Sequence, residues 1–180
     1  MKLDRSRAAL IVVDVQEAFR PAVLDFERIA LNTAVLVQGA RILELPVLVT
    51  EQYPKGLGHT VPEVAEHLEG IEPIEKMAFS AAAAASFPGT LQNSGRDQVL
   101  LCGIESHVCV NQTAEDLLAD DLEVHVARDA VTSRSEENRE LGLRKMERSG
   151  AMLTSVETAL FELLREAGTP EFKQIQALIK

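Results

Sequence analysis

Gln98-Val99-Leu100-Leu101-Cys102-Gly103-Ile104-Glu105-Ser106-His107-Val108-Cys109-Val110 is the stretch on which the fold turns. Its first five residues make an apolar run that reads as a fully buried strand. The residues that follow, Asn111 to Leu118, read as an amphipathic helix. Cys109 therefore stands where a strand turns into a helix. Free backbone N–H groups and the positive end of the helix dipole favour a thiolate there. A cysteine so placed is a candidate nucleophile, with an oxyanion site supplied by its own backbone.

The same alternation extends to both sides. Ala8 to Val13 is a buried β-branched strand ending at Asp14, and about Phe26 to Leu45 is helical. Pro46 to Thr50 is the second strand, and the Gly- and Pro-rich Gln52 to Thr60 is a loop. A short helix from Pro62 to Leu68 opens on proline. A brief third strand around Pro73-Ile74-Glu75 leads to Lys76. Beyond the fourth strand come Leu122 to Val126, a helix over Glu136–Ser149, Ala151 to Thr154, and a helix over Val156–Glu166. Strands without polar alternation, separated by helices, predict a three-layer α/β/α fold around a mostly parallel six-stranded sheet. Residues 1–180 are expected to form one domain, with 168–180 an amphipathic tail. In that tail Phe172, Ile175, Leu178 and Ile179 share a helical stripe, which either docks on its own domain or crosses to a neighbouring subunit.

Composition narrows the classes. With 18 basic and 28 acidic residues the formal net charge is −10, and no Lys or Arg cluster stands out. This argues against nucleic acid and anionic membrane surfaces as partners. No apolar stretch approaches the roughly 20 residues needed to span a bilayer, and the first residues do not read as a signal peptide. The two cysteines, Cys102 and Cys109, form no CxxC pair, so neither a disulfide framework nor a zinc motif is suggested. The expectation is a cytoplasmic protein acting on a small molecule. Few aromatic residues and the detached tail suggest a homo-oligomer, whether dimer, tetramer or larger.

In open α/β sheets ligands bind beyond the carboxyl ends of the strands. Three strand ends here carry reactive groups, Asp14, Lys76 and Cys109, and they meet if the first and fourth strands are neighbours. The segments Ile11-Val12-Val13-Asp14-Val15-Gln16, Glu75-Lys76-Met77-Ala78-Phe79-Ser80 and Gly103 to Val110 resemble the signature segments of the isochorismatase-like cysteine hydrolases. Thr50 to Gly58, followed by Thr60-Val61-Pro62-Glu63, further resembles the branch of isochorismatase domain-containing proteins, near the YcaC-like members.

The resemblance implies a Rossmann-like fold, and it implies roles. Asp14 would take the Cys109 proton and later pass it to a leaving nitrogen, with a thioester between. Lys76 would stabilise charge, and the backbone N–H groups of Val108 and Cys109 would hold the oxyanion. A non-proline cis peptide would fall at Ile104-Glu105. Gln16, Phe19, Tyr53, Phe79 and His107 are the candidates for contacting substrate. Metal-dependent nicotinamidases carry an Asp-x-His pair and a further His after the second strand, where this chain reads Glu51-Gln52-Tyr53 with His59 beyond. Neither a metal nor any other cofactor is therefore expected.

Each residue has a plainer role beside the catalytic one. Cys102, inside a strand, is a small buried hydrophobe. Asp14 alone would be a turn residue, Lys76 a solvated lysine, and His107 a structural contact. His59 and His125 read as loop and strand residues. Three functions follow: a metal-free amide or acyl hydrolase, probed by Cys109→Ala; an isochorismatase-type enol-ether hydrolase that tolerates that change; and a binding or scaffold protein with a redox-sensitive Cys109. Nucleotide binding is set aside, because no Gly-rich loop follows the first strand.

Overall fold

The computed structural model describes residues 2–180. Six strands form one sheet: β1 (Ala8–Val13), β2 (Val47–Gln52), β3 (Ile74–Lys76), β4 (Gln98–Ile104), β5 (Glu123–Thr132) and β6 (Met152–Thr154). Their order is β3-β2-β1-β4-β5-β6, and every pairing is parallel. All six residues of β1 and all seven of β4 are buried, as central strands covered on both faces must be. The chain reverses its direction of travel across the sheet between β1 and β4, which opens a crevice at their carboxyl ends.

Among the described residues eight α-helices flank the sheet: α1 (Phe26–Ile42), α2 (Pro54–Leu57), α3 (Pro62–Ala65), α4 (Phe87–Asn93), α5 (Cys109–Ala119), α6 (Glu136–Arg148), α7 (Val156–Leu164) and α8 (Pro170–Leu178). The alternation of side chains along β1 and β4 divides the core in two. Leu10, Val12, Leu100 and Cys102 face α1 and α7, whereas Ile11, Val13, Val99 and Leu101 face α4, α5 and α6. Serine and threonine caps start three of the later helices: Ser135 Oγ accepts from Asn138 N, Ser155 Oγ from Thr158 N, and Thr169 Oγ from Phe172 N.

The tail docks on its own domain. Ile175 of α8 is fully buried in the α1-side core and approaches Gly39, where an added Cβ would lie 2.4 Å from Leu160 and 3.4 Å from Ile175. The N-terminal segment is tied in nearby. The Leu3 N–H donates to Glu162 Oε2 at 3.0 Å, and Arg165 Nη2 donates to the Leu3 carbonyl at 2.8 Å.

Several elements depart from expectation. The fifth strand runs six residues past Val126, to Thr132, with a bulge opposite Leu101–Gly103. The polar Arg128-Asp129 pair falls in that bulge, between the pairings of Val126 and Val131 with β4. Phe87-Pro88-Gly89 opens a helix, α4, because proline is tolerated in a first turn. The five-alanine run supplies only a 3-10 turn over Ala81–Ala83. The Gln52–Thr60 loop contains the single turn α2. Among the described residues no helix is long and apolar enough to cross a membrane.

Candidate active site

Strand register assembles the site. β1 pairs with β2 up to Val13↔Thr50, and β2 pairs with β3 up to Gln52↔Lys76. Asp14, just past β1, has φ 52°, in the left-handed region, and its N–H donates to the Thr50 carbonyl at 3.1 Å. Its carboxylate is then held on both oxygens. Thr50 Oγ1 donates to Oδ1 at 2.7 Å and Lys76 Nζ to Oδ2 at 2.6 Å. The Asp14 and Lys76 side chains are both fully buried.

Lys76 Nζ also reaches Gln52 Oε1 (2.8 Å), Phe79 O (2.9 Å) and Ala78 O (3.2 Å). An ammonium has three protons, so four acceptors leave it none to offer a substrate. Lys76 is a fixed counter-ion for Asp14.

Cys109 is the first residue of α5 and only 5% exposed. The Asp14 carboxylate is near enough to raise the proton affinity of its thiol. Two glycines make this approach possible. Gly103 has φ +123°, and a Cβ on it would stand 2.0 Å from the Val13 carbonyl oxygen, so only glycine lets β4 close on the end of β1. A Cβ on Gly142 would stand 2.5 Å from the Ser106 carbonyl oxygen, so α6 lies directly against the Cys109 loop.

Electrostatics correct the thiolate expectation. Burial and the neighbouring Asp14 carboxylate push the Cys109 thiol up to about 12, against the opposing pull of Lys76. A helix N-terminus contributes about 0.3–1 kcal/mol, too little to offset a desolvated site beside a carboxylate. Burial also raises Asp14, with Lys76 and Thr50 opposing it. The resting pair is a protonated thiol against a carboxylate. Cys102 sits elsewhere: its thiol donates to the Ile11 carbonyl at 3.7 Å, and burial pushes it up to about 12.

The remaining expected residues separate. The Ile104-Glu105 peptide is cis. The Val108 N–H, expected to serve the oxyanion, donates instead to the Glu105 carbonyl at 3.0 Å. The N–H groups of Glu105 and Cys109 donate to no acceptor among the described residues. Gln16 is fully buried with its amide taken up internally, a correction to its role as a substrate contact. Its Nε2 donates to the carbonyls of Gln52 (3.0 Å) and Gly58 (2.6 Å), and its Oε1 accepts from Gln52 N (2.8 Å). Gln16 thus ties the loop after β2 to β1. Phe19 is half-buried against the α1-side core. Tyr53 and Phe79 are exposed, and Tyr53 lines a cavity of about 330 Å³ with Pro54, Lys55, Glu75, Lys76 and Met77.

His107 Nδ1 lies 2.9 Å from Ser133 Oγ, which lies 2.8 Å from Ser106 Oγ, which donates to the Arg139 carbonyl at 3.2 Å. A carbonyl only accepts, so one consistent direction runs from His107 Nδ1–H through both hydroxyls to Arg139. Where the nicotinamidase ligands would stand, the buried Glu51 carboxylate accepts from Thr60 N (2.6 Å) and Thr60 Oγ1 (2.8 Å) and meets His59 Nδ1 at 3.0 Å. Among the described residues no cluster of three or more His, Cys, Asp or Glu is arranged to hold a metal.

Sequence reasoning missed Thr50 and Gln52, which second-strand register places beside Asp14 and Lys76. It also missed Arg134, which grips Glu105 from 29 residues away. Arg134 N, Nε and Nη2 donate to that carboxylate at 2.9, 3.1 and 2.6 Å.

Residues 8–158 match the Isochorismatase domain. The chain belongs to the isochorismatase family. It is 42% identical over 179 residues to isochorismatase domain-containing protein 2 of Danio rerio, covering 99% of this chain and 89% of that protein. A solved structure described as the MAR1 ribonuclease of Caenorhabditis elegans superposes with TM-score 0.94 at 42% identity, covering 99% of this chain and 92% of the other. YcaC of Pseudomonas aeruginosa, solved with hexane-2,5-diol and covalent acrylamide, superposes with TM-score 0.91 at 26% identity, covering 98% and 91%. The family is one of hydrolases, and its sheet and flanking helices are those described above.

Proposed function

We propose that this isochorismatase-family chain is a cysteine hydrolase that cleaves the C–N bond of a small amide, or a related acyl bond, at an Asp14-Lys76-Cys109 triad. The observation that carries the proposal is the Asp14 carboxylate, fixed by Thr50 and Lys76 against the buried Cys109 thiol. A carboxylate with raised proton affinity beside a protonated thiol is a general base waiting for its reaction. As Cys109 Sγ attacks the carbonyl carbon, its proton passes to Asp14 and the carbonyl π electrons move to oxygen. The Glu105 and Cys109 amides are the donors available to that oxygen, and one such donor is worth about 10²–10³ in rate. The C–N bond then breaks, the nitrogen leaves with the proton from Asp14, and a thioester remains. Water, deprotonated by Asp14, adds to the thioester, and as the C–S bond breaks the acid departs and the proton passes from Asp14 back to Cys109 Sγ.

YcaC, with its covalent acrylamide, supports a reactive group accepting a small amide in this fold. The word ribonuclease attached to the C. elegans relative suggests RNA, but a net charge of −10 opposes a polyanionic substrate. The test is a screen of small amides for ammonia release, with intact-mass detection of an acyl adduct on Cys109. Loss of both signals in Cys109→Ala is the expected result. Amide turnover that survives this substitution refutes the proposal; the enol-ether reading that the family's domain name carries releases no ammonia and is tested separately, by turnover of an enol ether that persists in Cys109→Ala. Cytoplasmic placement and self-association belong to the same proposal. The latter draws on the exposed Leu24, Tyr53, Met77 and Phe79, and light scattering in solution checks it.

A further inference from the structure

Glu105 is immobilised at every polar group but one. Its carbonyl accepts from Val108 N (3.0 Å) and Val110 N (3.2 Å), and its carboxylate accepts three hydrogen bonds from Arg134. Only its N–H, on the cis peptide, remains open among the described residues. The carboxylate side chain is 5% exposed, while that of Arg134 is 65% exposed, so the anion is buried and its cation arrives from the surface. The two belong to different loops: Glu105 precedes α5, and Arg134 follows β5. Ser106 N, donating to the Thr132 carbonyl at 2.8 Å, and the His107–Ser133–Ser106 chain join those loops alongside the pair.

This pair carries a charge problem that the triad alone does not explain. A buried carboxylate four residues before the nucleophile opposes any negative charge forming on Cys109 Sγ or on an attacked carbonyl. We infer that Arg134 is a positioning residue for the Cys109 site: its guanidinium cancels the Glu105 charge and clamps a residue whose N–H, four positions before the nucleophile, has no acceptor among the described residues. This deepens, and rests on, the reading of Cys109 as the attacking group.

The charged groups around the sulfur are Asp14 from the end of β1, Lys76 from the end of β3, Glu105 from its own loop, and Arg134 and His107 around Glu105. Asp14 pairs with Lys76 and Glu105 with Arg134, so the centre holds two neutralised pairs and no spare cation. Such a site suits an uncharged substrate. Supporting the geometry, burial works to raise the Glu105 carboxyl, and the Arg134 side-chain and backbone hydrogen bonds outweigh it, so its affinity for a proton is lowered. The Glu105 charge in turn raises the Cys109 thiol.

The experiment is the rate of Cys109 alkylation by iodoacetamide at pH 8 in the full chain, read by peptide mass. In that reaction sulfur displaces iodide and the thiol proton goes to Asp14 or solvent. The arms are wild type, Arg134→Gln, Arg134→Lys, Glu105→Gln and the Glu105→Gln/Arg134→Gln double variant. Arg134→Gln leaves an unpaired carboxylate and is expected to slow labelling roughly three- to fourfold, since about one pKa unit in the thiol means about tenfold less thiolate, of which the stronger attack of a more basic thiolate restores about threefold. Arg134→Lys keeps the charge and is expected to stay within about 1.5-fold of wild type. The double variant is expected within about twofold of Glu105→Gln, because no charge is then left to cancel. The inference is overturned if Arg134→Gln labels at the wild-type rate, or if the double variant stays as slow as Arg134→Gln. Should Arg134→Gln fail to fold, the comparison of Glu105→Gln with the double variant decides alone. Labelling reads the charge at sulfur without turnover, so an amide screen that finds no substrate leaves this result standing.

Discussion

Replacing Asp14 by Asn should separate two properties that an activated cysteine usually shows together: hydrolysis is lost and alkylation becomes faster. The substitution keeps the shape of the side chain and an acceptor for Thr50 but removes the negative charge. The wild-type thiol is pushed up to about 12 by burial and by Asp14. Without the carboxylate, the buried Lys76 ammonium is left facing Cys109, and the thiol falls part of the way from about 12, while burial, the larger cause, still holds it above the free value of about 8.5. A fall of roughly 2 units gives about a hundred times more thiolate at pH 7. Less basic thiolates attack more weakly, and a Brønsted slope of about 0.4–0.5 takes back roughly tenfold. The net expectation is labelling about tenfold faster than wild type, with Cys102 in the same digest as the unreactive reference. Thioester formation has no base to receive the proton, so amide turnover falls by about 10²–10⁴. An Asp14→Asn chain that labels no faster than wild type refutes the reasoning, because the carboxylate would not then hold the thiol in its protonated form.

Other perturbations probe the same architecture. Lys76→Met strands a buried carboxylate and should cost about 3–5 kcal/mol at neutral pH, lowering the urea midpoint by roughly 1–2 M for a slope of about 2.5 kcal/mol/M. The folded-state pKa of Asp14 lies above its unfolded value and rises further in this variant, so the loss is complete above that value and disappears as acid protonates Asp14. A second change, Asp14→Asn, should recover most of it. Gly103→Ala places a Cβ 2.0 Å from the Val13 carbonyl at φ +123°, and roughly 2–4 kcal/mol of destabilisation is expected by denaturation, with turnover falling further as β1 and β4 separate. His125 is buried, with Nε2 unpartnered among the described residues, and burial lowers its pKa. Its contribution is therefore present above about pH 6.5 and lost as pH falls toward the folded value. His125→Leu should make the urea midpoint less sensitive between about pH 7.5 and 5.5, and an unchanged pH response would contradict this account.

What the sequence showed and what it withheld follow from the range of the forces involved. β1 and β4 are legible because buried parallel strands are apolar at every position, and the adjacency expected of them is observed. The coming together of Asp14, Lys76 and Cys109 was legible for the same reason, as each stands at a strand end. The full length of β5 was hidden because the polar Arg128 and Asp129 fall in its bulge, between the pairing of Val126 with Leu101 and that of Val131 with Gly103. The function of Gln16 was misread because a buried amide and a substrate-facing amide look alike until its partners, Gln52 and Gly58, are brought from 36 and 42 residues away. Val108 was assigned to the oxyanion by its place beside Cys109, and a local turn to Glu105 decided otherwise. Arg134 gives no local signal, since its partner depends on β5 lying next to β4.

The ties from Leu3 to α7 carry a consequence for the timing of folding. During synthesis β1 is made well before α7 and α8, yet the residue five places before it is held by Glu162 and Arg165, and the α1 surface beside it is closed by Ile175. A growing chain can pair β1 with β2 early, but one face of that ribbon must wait, apolar and uncovered, until α7 and α8 have been made. The interval between those events is when a newly made copy most needs protection from its neighbours.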